Sequence, residues 1–370
     1  MDATDNKYWV GFSKVKGIGA ARTKLLLDRF GDLSSAWNAT GEQMREAGLS
    51  PKITQAFLEV RKNIDLDREL DHILRSEIRI LTIEDNEYPK RLLSIEFPPP
   101  VIFVKGKIVE TDEYAVAVVG TRHVSSYGSQ VAGELGRFLA QNHICVISGL
   151  ARGVDAVAHR AVLEGGGRTI AVLGSGVDVV YPPEHRELAA RIIENGALIS
   201  DYYPGTPPEG VNFPPRNRII SGLSLATVIV EAGERSGALI TAEFAASQGR
   251  EVFAVPGSIY APRSKGANRL IRDGALPLLN FSDLLEVLNL SQVEEFRYAK
   301  QVLPENDIEL LLMKTLQNEP MHIDEIKATL GLPMEKISAA LVMMKLKGLV
   351  KETENLTYLS INETESGYGL

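Results

Sequence analysis

Arginines closely spaced beside small residues are the first chemistry this sequence offers. The stretch Asn212 to Pro256 reads NFPPRNRIISGLSLATVIVEAGERSGALITAEFAASQGREVFAVP. It sets Arg216, Asn217 and Arg218 in a row, then Ser221-Gly222, then an apolar run from Leu225 to Val230 that ends in Glu231. A glycine turn, Gly233 to Gly237, opens a helical pattern from Ala238. A strand feeding a small-residue turn and a helix N-terminus points free N–H groups and the positive end of a helix dipole at one place, which suits an anion. Arginines just upstream reach phosphate oxygens bidentately. Between Asn212 and Gly274 there are eight basic residues, seven of them arginine, against five acids, in a chain of net charge −8. Arginine suits fixed phosphate geometry, whereas a solvated surface accepts lysine equally. The competing reading is structural: Arg216, Arg218 and Arg250 pair with Glu231 and Glu243.

Other chemistries lack their residues. Gly174-Ser175-Gly176 has Val179 where a dinucleotide fingerprint needs its third glycine, and no GxxxxGK[ST] occurs. No cofactor is expected. The six histidines show no metal spacing, so no metal is expected either. The single cysteine, Cys145, lies in an apolar strand pattern and reads as a buried thiol. Asp155 and His159, one helical turn apart, read as a local hydrogen bond or cap rather than an acid–base pair. No catalytic residue is assigned.

The elements that must position the arginines alternate. Strand patterns at Ala115–Val119, His143–Ile147, Arg168–Leu173, Ala197–Ser200, Leu225–Val230 and Glu251–Val255 alternate with helical ones at Tyr127–Gln141, Asp155–Leu163 and Glu184–Glu194. This predicts an α/β fold, a Rossmann-like doubly wound, mostly parallel sheet. Val101–Lys105 reads as an edge strand. The turns bearing Arg122, Ser148, Gly149, Arg152, Gly174, Glu231 and Ser236 all follow strands, so they converge on one sheet edge, where such folds bind ligands.

Residues 1–78 read as a helical module. Val15-Lys16-Gly17-Ile18-Gly19 before an amphipathic run resembles a helix-hairpin-helix, so Lys16, Gly17, Gly19 and Arg22 are candidate secondary DNA contacts. The alternative is a hairpin that only turns the chain. Residues 79–290 form the core, 291–303 a linker, 304–362 a winged-helix pattern and 363–370 a tail. From 291 onward eight basic residues face thirteen acids, a balance that repels phosphate and favours protein contact. No apolar run is long enough to span a membrane and the first residues lack a secretion leader, so a cytoplasmic location is expected.

Taken together, Gly120-Thr121-Arg122, Ser148-Gly149-Leu150-Ala151-Arg152-Gly153-Val154-Asp155, Phe213-Pro214-x-Arg216-Asn217-Arg218-Ile219-Ile220-Ser221-Gly222, Arg235-Ser236-Gly237-x-Leu239-Ile240-Thr241-Ala242, Val255-Pro256-Gly257 and Gly266-x-Asn268-x-Leu270-Ile271 resemble the DprA/Smf DNA-processing family. The resemblance implies a non-catalytic protein that binds and protects single-stranded DNA, loads the RecA recombinase during natural transformation, and forms a homodimer through its core. Carried onto this sequence, it implies DNA contacts at Gly120, Thr121, Arg122, Ser148, Gly149, Arg152, Gly153, Arg216, Asn217, Arg218, Ser221, Ser236, Lys265 and Asn268. After Tyr181-Pro182, relatives often carry a lysine or asparagine where this chain has Pro183-Glu184-His185-Arg186, and Arg186 is the candidate substitute. The core also resembles the lysine-decarboxylase-like (LOG) Rossmann hydrolases. That second reading is nucleoside-phosphate N-glycosidic hydrolysis, of which Thr241-Ala242-Glu243 is a partial echo.

Overall fold

A computed structural model describes residues 6–289, 307–316, 320–346, 349–353 and 356–360. The expected linker 291–303 and tail 363–370 lie outside the described residues. The chain divides into two compact units, Met1–Leu288 and Asn289–Leu370.

The apolar runs of the first unit become one nine-stranded sheet. Its strands are β1 (Arg79–Thr82), β2 (Val101–Gly106), β3 (Ala115–Val119), β4 (Cys145–Ser148), β5 (Thr169–Val172), β6 (Gly196–Ser200), β7 (Ala226–Ile229), β8 (Glu251–Ala254) and β9 (Leu276–Pro277). Their order is β1-β2-β6-β5-β4-β3-β7-β8-β9, and β6 to β9 in that order run parallel. All residues of β3, β4, β5, β6 and β7 are buried, as strands covered on both faces must be. The expectation that Val101–Lys105 forms an edge is corrected. β2 lies between β6 and β1, antiparallel to both, because the short Arg79–Thr82 segment adds a further strand outside it. The chain winds from β3 outward to β6, then crosses back to β7 on the other side of β3. The strand order therefore switches between β3 and β7, the place where a doubly wound sheet leaves a crevice at its strand ends.

Six helices precede the sheet, from Asn6–Ser13 to Leu66–Arg75. Their boundaries follow local chemistry. Asp32 and Asp65 accept backbone N–H groups at helix starts, Thr40 and Gln43 form a reciprocal capping box, and Pro51 opens Pro51–Asn63. Phe12, Trp37 and Phe57 pack with ring centroids 5.1 to 5.5 Å apart. The same hydrophobic cluster continues through Ile78 and Phe103 to Leu173 and Leu198, so these helices and the sheet share a core. Lys14 Nζ bonds Glu69 at 3.0 Å and lies 4.8 Å from the ring centre of Tyr203, beyond β6.

The second unit packs helices Asp307–Thr315, Ile323–Leu330 and Met334–Leu346 against an antiparallel sheet. Its central strand is Thr357–Ser360, flanked by Met321–His322 and Val350–Glu352. This is the winged-helix arrangement the sequence pattern suggested. The pattern showed the two wing strands but not the two-residue Met321–His322, which is too short to carry an alternation. Leu312, Ile326, Ile337, Leu341 and Met344 form the unit's own core.

Because the two units have separate cores, a chain ended at Leu288 is expected to unfold in one cooperative urea transition. In it, Phe57→Ala should lower stability by about 3–5 kcal/mol. A helical module that melts separately from the sheet would contradict the shared core.

Candidate nucleic-acid interface

A cavity of about 830 Å³ opens at the switch between β3 and β7. The β3 turn supplies Gly120, Thr121 and Arg122; the turn after β7 supplies Gly233, Arg235, Ser236 and Gly237; helix Phe213–Gly222 supplies Phe213, Arg216 and Asn217; and Arg263 closes the far side. Among lining residues four are arginines and one, Asp155, is an acid. Part of the local excess of positive charge anticipated from sequence, Arg216, Arg235 and Arg263, therefore meets Arg122 in one crevice.

The arginines differ in what holds them. Arg216 is 4% exposed, and its Nη1 donates to the carbonyls of Gly149, at 2.9 Å, and of Val172. Burial draws this guanidinium down to about 10, opposed by the negative charge of Asp155, so it stays charged at neutral pH. Burial raises the Asp155 carboxyl, opposed by Arg216 and by the N–H groups of Gly149 and Ala151, which donate to its Oδ2 at 3.1 and 3.3 Å. Arg218 donates to Phe97 O at 2.5 Å and to Asp201 Oδ2 at 2.8 Å. Arg250 donates to Arg91 O and Ser94 Oγ. Neither Glu231 nor Glu243 holds any of these three. Glu231 accepts from Ser125 N and Oγ instead. In contrast, Arg122, Arg235 and Arg263 line the cavity exposed and have no carboxylate within ion-pair distance among the described residues.

Several sequence-named residues build the frame and do not offer side chains to a ligand. Ser148 and Ser221 are fully buried, with hydroxyls that donate to Val118 O and to carbonyls of their own helix. A Cβ on Gly149 would stand 2.6 Å from Arg216 Nη1, so glycine there makes room for the arginine. Gly153 has φ +78°, and a Cβ on it would collide with Thr121 O, so it lets the β3 and β4 turns touch. Asn268 bonds both N–H and C=O of Gly257, at 3.1 and 2.9 Å. Arg216 lines the cavity, with its Nη1 held by two carbonyls.

Arg152 is exposed outside the cavity lining and holds Glu184 at 2.5 Å. That hydrogen bond pushes the arginine above and the carboxyl below its usual range. Arg186 and Lys265 are exposed at helix starts, also outside the cavity lining. Lys16, Gly17, Gly19 and Arg22 lie on the helical module. There Gly17 takes φ +99° and Arg22 Nη1 donates to its carbonyl at 2.6 Å, so that arginine holds the turn.

Asp155 and His159 are not bonded to each other. Thr169 Oγ1 spends its proton on Val146 O, so His159 Nδ1–H is the donor to Thr169 at 2.7 Å. Burial draws this imidazole down to about 3. Glu243 lines a neighbouring cavity with Arg250 and Arg269, not the cavity of Arg122.

The sequence offers few aromatics near these turns for base stacking, namely Tyr181, Tyr202, Tyr203 and Phe213, and two of them form a rim. The Phe213 ring lies 5.6 Å from that of Tyr181, and the guanidinium carbons of Arg122 and Arg216 stand 5.4 and 6.0 Å from its centre. Arg263 was visible only as part of the local basic excess, and Arg235 as part of that excess and of the Arg235-Ser236-Gly237 motif. Their common signal was arginine richness; which ones face the crevice depended on the turns.

Residues 79–289 match the family model for DNA recombination-mediator protein A, and residues 299–354 match that for the DprA winged helix domain. The chain is 34% identical to Protein Smf of Synechocystis sp., over 97% of this chain and 99% of that protein. It resembles the X-ray structure of DNA processing protein A from Streptococcus pneumoniae at TM-score 0.67 and 35% identity, covering 76% of this chain and 97% of that one. A DNA processing protein A structure from Helicobacter pylori, reported for that protein's single-stranded DNA binding mode, is similar at TM-score 0.52 and 28% identity, covering 57% and 95%.

Arg216→Ala is expected to cost about 3–5 kcal/mol in chemical denaturation, because it leaves two buried carbonyls without their donor, removes the positive charge that opposes Asp155, and empties a packed site. Arg122→Ala should change stability by less than about 0.5 kcal/mol. The neutral His159 adds a pH dependence. Between the ordinary value near 6.5 and about 3, the unfolded chain binds a proton that the fold refuses, so stability falls as pH drops through this window. His159→Gln should reduce that loss.

Proposed function

The chain belongs to the DNA recombination-mediator protein A (DprA/Smf) family, and from that premise we propose that it binds single-stranded DNA in the β3/β7 cavity. The observation that carries this is the trio Arg122, Arg235 and Arg263, gathered round one crevice without carboxylate partners among the described residues. Three unneutralised cations held together by the fold repel one another, and a polyanion relieves that repulsion. Asn217, Thr121 and Ser236 add hydrogen-bonding groups to the wall. The exposed edge of Tyr181 and the Phe213 ring offer faces on which bases stack. A crevice at strand ends admits one strand with its phosphates along the arginines and leaves no room for a duplex. Affinity then comes chiefly from the backbone, tolerant of sequence and sensitive to salt. Arg152, Arg186 and Lys265 extend the basic track beyond the cavity.

In this reading the protein protects incoming single strands and loads RecA recombinase on them during natural transformation. It acts in the cytoplasm, as a homodimer formed through the core. No helix among the described residues is long and apolar enough to cross a membrane. The acidic second unit contacts protein in preference to DNA. Hydrolysis of an N-glycosidic bond would require a free carboxylate beside the bound nucleotide. Glu231 is engaged by Ser125, and Glu243 lines the other cavity, so binding without catalysis is favoured.

Arg122→Ala, Arg235→Ala and Arg263→Ala should each weaken single-stranded DNA binding alike across sequences. Each should flatten the salt dependence by about 0.7, the share of one phosphate on a single strand. Unchanged slopes in all three would move the site elsewhere, and free base released from nucleoside monophosphates would restore the hydrolase reading. Removal of residues 304–370 should leave the affinity intact. RecA filament formation on strands coated with a single-strand-binding protein should accelerate when the protein is added.

A further inference from the structure

We propose that a strand leaving the arginine cavity passes over Arg263 into a second cavity, which takes a nucleobase. This rests on the single-stranded DNA reading above. The second cavity, about 710 Å³, lies along the loop that follows β8 and is lined by Ser125, Tyr127, Glu231, Pro256 and Ser264. Pro262 and Arg263 line both cavities, so one guanidinium stands at their junction. Arg263 has no carboxylate within ion-pair distance among the described residues, which leaves it available to a phosphate between the two.

The wall of the second cavity selects against phosphate. Glu231 is 4% exposed, and its two carboxylate oxygens accept from Ser125, from N–H at 2.9 Å and from Oγ–H at 2.5 Å. Ser125 is the N-cap of helix Ser126–Gln141, and its Oγ also accepts from Gly128 N at 3.1 Å, so both its N–H and its hydroxyl are committed within the fold. A fixed carboxylate in a partly dry wall repels a second negative charge.

What the wall does offer is an aromatic ring. Tyr127 is 49% exposed, and its hydroxyl donates to Pro256 O at 2.9 Å. The ring is therefore anchored at its far end while the rest stays open. A pinned aromatic loses little freedom when a base stacks on it. The spacing of chemistry matches a nucleotide: a cation for the phosphate at Arg263, then a ring for the base at Tyr127. The bound strand would thus be longer than the arginine cavity alone accommodates.

Oligonucleotides of two lengths test this, roughly four and roughly twelve nucleotides, within the usual range for single-strand sites. Arg122→Ala should weaken binding of both. Tyr127→Leu should leave the short oligonucleotide unchanged and weaken the long one about five-fold or more, the loss of one base–aromatic stack. Tyr127→Phe, which keeps the ring, should retain most of the affinity. In the unsubstituted protein, photocrosslinking of a long strand carrying 5-iododeoxyuridine should label Tyr127. If Arg122→Ala weakens both lengths while Tyr127→Leu weakens neither, the second subsite is wrong and the arginine cavity stands. Crosslinks to Tyr181 with none to Tyr127 would overturn the second subsite in the same way. If Arg122→Ala, Arg235→Ala and Arg263→Ala leave both lengths unaffected, the primary reading fails and this one with it.

Discussion

The guanidinium of Arg216 is the tie on which the site depends. It is a buried cation, and a buried cation survives only where the fold supplies partners. Gly149 O at the end of β4, Val172 O at the end of β5 and the charge of Asp155 at the start of the next helix supply them. One side chain thereby ties the ends of two strands, β4 and β5, to helix Phe213–Gly222. Gly149 must be glycine for that contact to close, and Asp155 Oδ2 receives the N–H groups of the β4 turn. With these settled internally, the edge becomes rigid enough to present other groups outward.

The remaining arginines sort by their partners. Arg218 is spent on Asp201 and a carbonyl, and Arg250 on a carbonyl and a hydroxyl. Arg152 meets an exposed carboxylate, a contact that solvent weakens. Around the β3/β7 crevice three cations stand together with no carboxylate partner among the described residues, in a chain that is acidic overall. Net charge keeps such a protein soluble and resists indiscriminate coating of polyanions, while a low-dielectric crevice focuses the local field. The same chain can thus be acidic in bulk and attract phosphate at one place. Phe213 and Tyr181 add stacking faces to that place without adding charge.

Much of this was legible in the sequence, for a physical reason. Continuous apolar runs, small-residue turns and helical runs are local, so the parallel core and the turns that follow its strands could be read in order. The acidic winged-helix pattern was legible on the same grounds. Very short strands were not: Leu276–Pro277 and Met321–His322 carry too few residues for a pattern, and pairing alone makes them strands.

The sequence by itself determined which residue types would stand at the ligand edge and that arginine would dominate there. Only the tertiary structure decided which arginines face inward. Arg216 and Arg235 look alike as letters beside small residues. One lies on the helix face pressed against the strand ends, and the other on a turn that opens to solvent. That difference is set by how helix Phe213–Gly222 packs across β4 and β5, a contact between segments about 67 and 44 residues apart, which no local pattern encodes.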